Sequence, residues 1–460
     1  MHTRSLLMSC LLLAAVTGCS TGPKWPDPEK QISQAMHIDN ALELRVEPGP
    51  IDVSTPDLEN HLSLSQAMEQ VLRHSPTIQR ALWRVREAQA EAKQARLLPN
   101  PILSVMIRWP EGGGSPMVEA GLTAELLSLL KKPGQIRTAD HQMRAVSAQA
   151  VVTILDELTH LQLLYAQIQA LDALTPILEQ RLNLLDQMVS LAQSRLEAGE
   201  GTRVDVTTLS AQQVELKIEL ALQQQAQQQA RLELARRIGR PSAQASWSLD
   251  VWQLPKVDLQ DETPWLLMAM QYRPELQAAV SELEAMGARV KLNRLDWIGS
   301  NDAGIEAERS EGHWAIGPTA MLALPIFDWG QAQWEVTHAQ RQQAVHQYLE
   351  TQRQIIQEVR QAYITYTTNR RVLEQIESQL LPLLNRRQEE VASAYRAGQS
   401  DALAVILSQN DLQAANARLI ELRQSTAESF IRLTRAIGGP GRVPSSNLKP
   451  LHDLSPEEKP

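Results

Sequence analysis

Cysteine is almost missing from this chain: of 460 residues only Cys10 and Cys19 carry a thiol, and both lie at the N-terminal extreme. Everything after them is excluded from disulfide bonding and thiolate metal binding. Aromatic side chains make up 4%, little for a globular core of this length, while alanine, leucine and glutamine are plentiful, as in long packed helices. After residue 16 no apolar run reaches the about 18 residues that a membrane-spanning helix needs, so any crossing must be made by strands. Positive charge is also short. With 44 Lys and Arg against 53 Asp and Glu the formal net charge is −9, which argues against a nucleic-acid partner. His141, His160, His313, His338 and His346 have neither a partner one helical turn away nor a cysteine nearby, so no metal motif or cofactor site is expected. No nucleophile–base pair stands out, which argues against a periplasmic hydrolase and predicts a protein that is not an enzyme.

What is present begins with an address. Arg4 precedes an apolar run from Leu6 to Val16 that ends in Val16-Thr17-Gly18-Cys19. A basic start, a short apolar core and small residues before the cut describe a secretory signal over residues 1–18. The last four residues resemble the bacterial lipobox, which implies that Cys19 is acylated and becomes the mature N-terminus; an ordinary signal peptide with a chance cysteine is the alternative. Ser20 after Cys19, where an aspartate would imply retention, implies the outer membrane in Gram-negative lipoproteins. Residues 19–60 then read as an extended linker.

The rest of the chain carries one plan twice. Shifted by 198, Pro76, Gln79, Ala81, Ala90, Lys93, Arg96 and Leu97 recur as Pro274, Gln277, Ala279, Ala288, Lys291, Arg294 and Leu295. A shift of 196 carries Gly121, Thr123, Ala124, Leu126, Gly134 and Gln135 onto Gly317, Thr319, Ala320, Leu322, Gly330 and Gln331. A shift of 199 carries Ala198, Gly199, Val206, Leu234, Arg236, Ile238 and Gly239 onto Ala397, Gly398, Val405, Leu433, Arg435, Ile437 and Gly438. So small a drift predicts a duplicated helix, β-hairpin and long-helix unit. The first copy spans 61–240, with its hairpin near 101–127 and its tip near 198–204. The second spans 263–440, with its hairpin near 299–325 and its tip near 397–401. Residues 241–262 form a linker and 441–460 a tail.

The helices are mainly long coiled-coil pieces. Leu158, Leu161, Tyr165 and Ile168, then Leu178, Leu182, Leu185, Val189, Ala192 and Leu196, advance in steps of four and three. Val345, Tyr348, Gln352, Ile355, Val359, Ala362 and Tyr366 do the same in the second copy. The rhythm stumbles at Pro176 and Pro382, where kinks are expected. A helix over 145–198 extends roughly 80 Å, well beyond a bilayer's apolar thickness of about 30 Å.

Between the helices lies the β part. Leu103, Val105, Ile107 and Trp109 alternate with polar neighbours, as do Val118, Ala120, Leu122 and Ala124; Ala303, Ile305 and Ala307 alternate with Asp302, Gly304, Glu306 and Glu308. Apolar outside and polar inside over ~10 residues is what a membrane barrel strand needs. Four strands cannot close a barrel and open edges are not tolerated in lipid, so subunits must pool their hairpins; three copies would give twelve strands, an even and plausible number. Trp109, Trp297, Trp314 and Trp329 fall near hairpin ends, where they either mark the membrane boundary or pack at junctions.

The run Gly317-Pro318-Thr319-Ala320-Met321-Leu322-Ala323-Leu324-Pro325-Ile326-Phe327-Asp328-Trp329-Gly330 resembles the strand-to-helix exit of TolC-type outer-membrane efflux proteins. Leu98-Pro99-Asn100-Pro101 and Leu62-Ser63-Leu64-Ser65-Gln66-Ala67 are similar to the CzcC-like metal-efflux branch of that family. The first hairpin departs from the pattern, with Ser128-Leu129-Leu130-Lys131-Lys132-Pro133-Gly134 at its exit. The resemblance implies a homotrimer, an outer-membrane β-barrel continued by a periplasmic α-helical barrel. It implies a passive exit duct, joined by a periplasmic adaptor to an inner-membrane transporter and exporting metal cations or small molecules. Arg108, Glu119, Glu125, Asp302, Glu306 and Glu308 are the expected pore-lining residues, with a modest preference for cations. Gly199, Gly201 and Gly398 are expected at the periplasmic tips that meet the adaptor, and Arg203, Asp205, Ala404 and Leu407 at the gate. Asp205 matches the family's acid there, whereas Ala404 and Leu407 point to an apolar constriction. A coiled-coil scaffold lipoprotein without transport activity is the competing expectation, and the hairpins speak against it.

Overall fold

The computed structural model describes residues 61–109, 111–113, 115–241, 245–250, 261–294, 301–310, 313–323 and 326–443. Cys19, the signal segment, the 19–60 linker and Trp297 lie outside the described residues. A short strand β1 (His61–Leu62) leads into helix α1 (Leu64–His74). Ser63 starts that helix with a reciprocal cap: its hydroxyl accepts from the Gln66 amide at 3.2 Å while its own amide donates to Gln66 Oε1 at 2.9 Å. Ser75 stops α1 and caps α2 (Pro76–Gln94), whose first residue is a proline that needs no amide partner.

Strands β2 (Ile102–Arg108) and β3 (Met117–Glu125) form the first hairpin. β3 passes without a loop into α3 (Leu126–Glu197), a helix of 72 residues. That corrects the expected start near residue 145, and at 1.5 Å per residue it makes a rod of roughly 110 Å. Pro133 and Pro176 both lie inside it, the second at the position where a kink is expected. After a tight turn α4 (Arg203–Arg237) returns, and β4 (Ser248–Leu249) pairs in parallel with β1.

The second half follows the same order. Helices α5 (Thr263–Tyr272) and α6 (Pro274–Asn293) precede strands β5 (Asn301–Ser310) and β6 (His313–Leu322). Helix α7 (Gln331–Gln375) then meets a five-residue π segment, Ile376–Leu380, and resumes as α8 (Leu381–Arg396), with Pro382 in its first turn. The returning helix is α9 (Ala402–Ala436).

Strands β2, β3, β5 and β6 make one antiparallel sheet in that order, so β2 and β6 are its edges. The helices bury their seams against α3, which packs on α2, α4, α6 and α9. The largest cluster joins Leu62, Met68, Val71 and Ile78 to Ile154, Leu158, Leu161 and Ile168 of α3 and to Leu234, Ile238 and Trp247. A second unites Trp265, Leu276, Ile355, Val359, Tyr366, Leu433 and Ile437. Met268 and Met270 pack against this second cluster. Among the described residues no helix is long and apolar enough to cross a membrane.

Candidate functional site

The sheet has two chemically distinct faces. The register places Leu103, Leu122, Ile305 and Pro318 in one row, and Val105, Ala120, Ala307 and Ile316 in the next. These side chains stand in the open: Leu103 is 69% exposed and Ile316 73%. A continuous apolar face of this kind requires a non-aqueous covering. On the opposite face Met106, Glu119, Glu308 and Ala315 share a row, followed by Ser104, Gly121, Glu306 and Gly317, while Glu125 stands across from Asp302. Arg108 belongs to the same face, 3.8 Å from Glu119. All six residues expected to line the pore are thus gathered on one side.

Gly304 is required by the closeness of β3. A Cβ there would lie 2.1 Å from the Leu122 carbonyl oxygen and 2.8 Å from Thr123 Cα. At the loop end of the sheet Trp109 and Trp314 are exposed, and the Arg309 guanidinium sits 6.0 Å from the Trp314 ring. At the helix end Ile326, Phe327 and Trp329 are exposed as well.

Far from the sheet, the long helices turn back in two matching ways. Gly199 (φ +78°) and Gly398 (φ +73°) take the left-handed conformation. The following amides then reach back, Glu200 N to Arg195 O and Gln399 N to Ala394 O, both at 2.8 Å, closing the last turn. Gly201 is needed for room instead, since a Cβ would come within 3.0 Å of the Leu196 nitrogen.

Of the four expected gate residues, Arg203 and Leu407 are exposed and Ala404 is half-buried. Asp205 is committed locally. Its carboxylate accepts from the Thr202 hydroxyl at 2.7 Å and the Thr202 amide at 3.1 Å, and its own amide donates to the Thr202 oxygen. The Thr202 hydroxyl, then the Thr202 amide, hold this carboxyl below the ordinary aspartate range.

Two tip residues without an expected role form the link between the turns. Asp401 caps α9 by accepting from the Ala404 amide at 2.8 Å, and its other oxygen meets Arg195 of α3 at 3.4 Å. Beneath this bridge Leu403 and Ile406 pack against the cluster of Leu178, Leu185, Met188 and Leu216. Such contacts span about half the chain and leave no local pattern to read.

Midway along the molecule the halves are joined by charge. Adjacent acids on α3 reach opposite ways, Glu157 to Arg237 at 3.0 Å and Asp156 to Arg435 at 2.7 Å. Arg435 also binds Glu275 at 2.6 Å, and Glu275 pairs with the buried Arg273 at 2.9 Å. Burial alone would raise the Glu275 carboxyl, but Arg435 and Arg273 outweigh it and hold it below its usual value. Among the described residues no group of three or more His, Cys, Asp or Glu is arranged to hold a metal ion.

A family model described as outer membrane efflux protein matches residues 67–240 and 265–439. No curated protein matches the sequence. Among solved structures, the outer membrane protein VceC of Vibrio cholerae is 21% identical, with a TM-score of 0.65 over 82% of this chain and 96% of that one. The Campylobacter jejuni CmeC outer membrane channel is 15% identical, with a TM-score of 0.68 over 93% of this chain and 96% of that one. The Neisseria gonorrhoeae MtrE outer membrane channel, in its open state, is 16% identical, with a TM-score of 0.65 over 92% and 98%.

Proposed function

Because the chain belongs to the outer membrane efflux protein family, we propose that it is the passive exit duct of a tripartite pump. The observation that carries this reading is the sheet: apolar on one face, acidic on the other, with both edges unpaired among the described strands. An open edge in lipid leaves backbone groups unsatisfied at several kcal/mol each, so the sheet must be completed by other copies. Three chains supply twelve strands and bring every acid of the inner face round the axis three times. That ring favours cations modestly, and the transporter selects the cargo.

The two halves are copies of one unit, and the helices continue the barrel into the periplasm as a helical tube. Gly199, Gly201 and Gly398 shape the tips that a periplasmic adaptor grips, linking the duct to an inner-membrane transporter. Arg203, Leu407 and Ala404 line the narrow end, while Asp205 serves there by fixing the start of α4. Cys19 carries the lipid that anchors the chain.

Chemical cross-linking of intact cells tests the assembly. A three-chain species should appear in the outer-membrane fraction, and deleting the gene should abolish export through the partner transporter. A protein found only as a soluble periplasmic monomer would overturn the reading. A scaffold lipoprotein would lack any need for the exposed apolar sheet face.

A further inference from the structure

The sheet has two open edges, β2 and β6, and exposed apolar side chains stand at the helix end of both. Just before β2 come Leu97 and Leu98, both exposed. Just after β6 come Ile326, Phe327 and Trp329, all exposed, with Phe327 at 91%. The chain has only two phenylalanines, and the other, Phe430, packs against the second core cluster. A closed turn presents Phe327. Asp328 accepts from the Gly330 amide at 2.8 Å, the Trp329 amide donates to Gln331 Oε1 at 3.0 Å, and Gly330 takes a left-handed φ of +83°.

The pairing already present in the sheet restricts how its edges can close on another copy. All three strand pairs are antiparallel, so β6 of one copy meets β2 of the next as an antiparallel pair as well. Within one chain the row Leu103, Leu122, Ile305 and Pro318 runs straight across the strands. A closed barrel needs strands tilted by about 35–45°. At about 3.3 Å per residue and 4.8 Å per strand, that displaces the register by about four to six residues over the four strands of each chain. Apolar side chains stay on one face only if the displacement is even. Displaced in one sense, little of β2 lies against β6, because β6 begins at His313. Displaced in the other, most of β2 is paired, and the residues before β2 come down beside those after β6. The smaller displacement sets Leu98 opposite Phe327, and the larger sets it opposite Trp329.

We propose that Ile326, Phe327 and Trp329 of each copy pack against Leu97 and Leu98 of the next, an apolar clasp that locks each seam between chains at the periplasmic rim of the barrel. This rests on the barrel reading above. The two stretches that carry the sequence resemblance, around Leu98-Pro99 and around Ile326-Phe327, thus meet across the seam.

The test is disulfide trapping in the full-length protein. After mild oxidation of outer membranes, Leu98→Cys combined with Phe327→Cys, or with Trp329→Cys, should give covalent dimers and trimers on non-reducing gels. Each single variant should give neither. Inside one chain β2 and β6 are three strand spacings apart, about 14 Å, beyond a disulfide's reach of about 7 Å, so the bond joins two copies. Phe327→Ala should also lower the temperature at which trimers dissociate in detergent gels. Leu130→Ala, exposed too but beside the inner strand β3, should leave it unchanged. Trimers that chemical cross-linking detects but that neither cysteine pair can join would overturn the clasp and leave the duct intact. Equal shifts from Phe327→Ala and Leu130→Ala would also overturn it, and would assign Phe327 to membrane lipid instead. Absence of any trimer from the outer membrane would overturn the duct itself.

Discussion

Single residues at the tips and at the midpoint carry more of the design than their number suggests. Gly199 and Gly398 are held at φ values that cost an L-residue roughly 1–2 kcal/mol, more if the side chain is β-branched. Gly398→Val should distort the turn while leaving the buried seams of α3 and α7 untouched. Trimers should reach the outer membrane in normal amounts, and export should fail if the turn is the docking surface proposed above. Normal export with both Gly199 and Gly398 changed to valine would remove the tips from the mechanism. At the midpoint, Glu275 has its folded pKa lowered, so its contribution is present above the ordinary glutamate value and is lost as pH falls through the folded one. Thermal melts should hold steady down to about pH 4.5 and decline below it, since the unperturbed value is about 4.3. Glu275→Gln should lower stability at pH 7 and flatten that acid decline. An unchanged decline would place the titrating group elsewhere.

Elements differ in how openly their sequence declares them. The strands were legible because period-two alternation survives in β2, β3, β5 and β6, and the faces it implies are those of the paired sheet. Leu122→Arg or Val105→Arg should therefore impair membrane assembly by about 2–4 kcal/mol per midplane charge. Thr123→Arg, on the water-facing side, should be tolerated, and equal effects in quantitative membrane fractionation would exclude membrane strands. The start of α3 was not legible. Pro133 and Gly134 are poor helix residues, yet the structure packs Leu292 against Gly134 and so rewards the helix that local propensity discourages. Asp205 was legible as an acid just beyond the tip, but its part in the reciprocal cap of α4 depends on Thr202. The Arg195–Asp401 bridge joins residues 206 apart and could be found only in the fold.

For the molecule as a whole, the charged contact between the two tips is weak. Arg195 and Asp401 are 40% and 59% exposed, and such a pair contributes about 0–1 kcal/mol. A weak bridge suits a closure that a partner must undo. Arg195→Cys with Asp401→Cys, joined by a short cleavable thiol cross-linker, should therefore block export, and reduction should restore it. Export that continues through the cross-linked protein would show that the tips need not part.

The two halves also differ in stiffness. The first runs from strand β3 into one continuous helix of roughly 110 Å without a loop, although Pro133 and Pro176 each remove a backbone bond from it. The second is a jointed crank. Its strand and helix are separated by the Gly330 turn, and its long helix is interrupted by the π segment and Pro382. Arg423 clasps the joint by binding Glu377 within the π segment at 2.8 Å. In the duct proposed above, a pull at the tip would be expected to bend the second half at this elbow before it twists the sheet, leaving the membrane seal insulated from the far end.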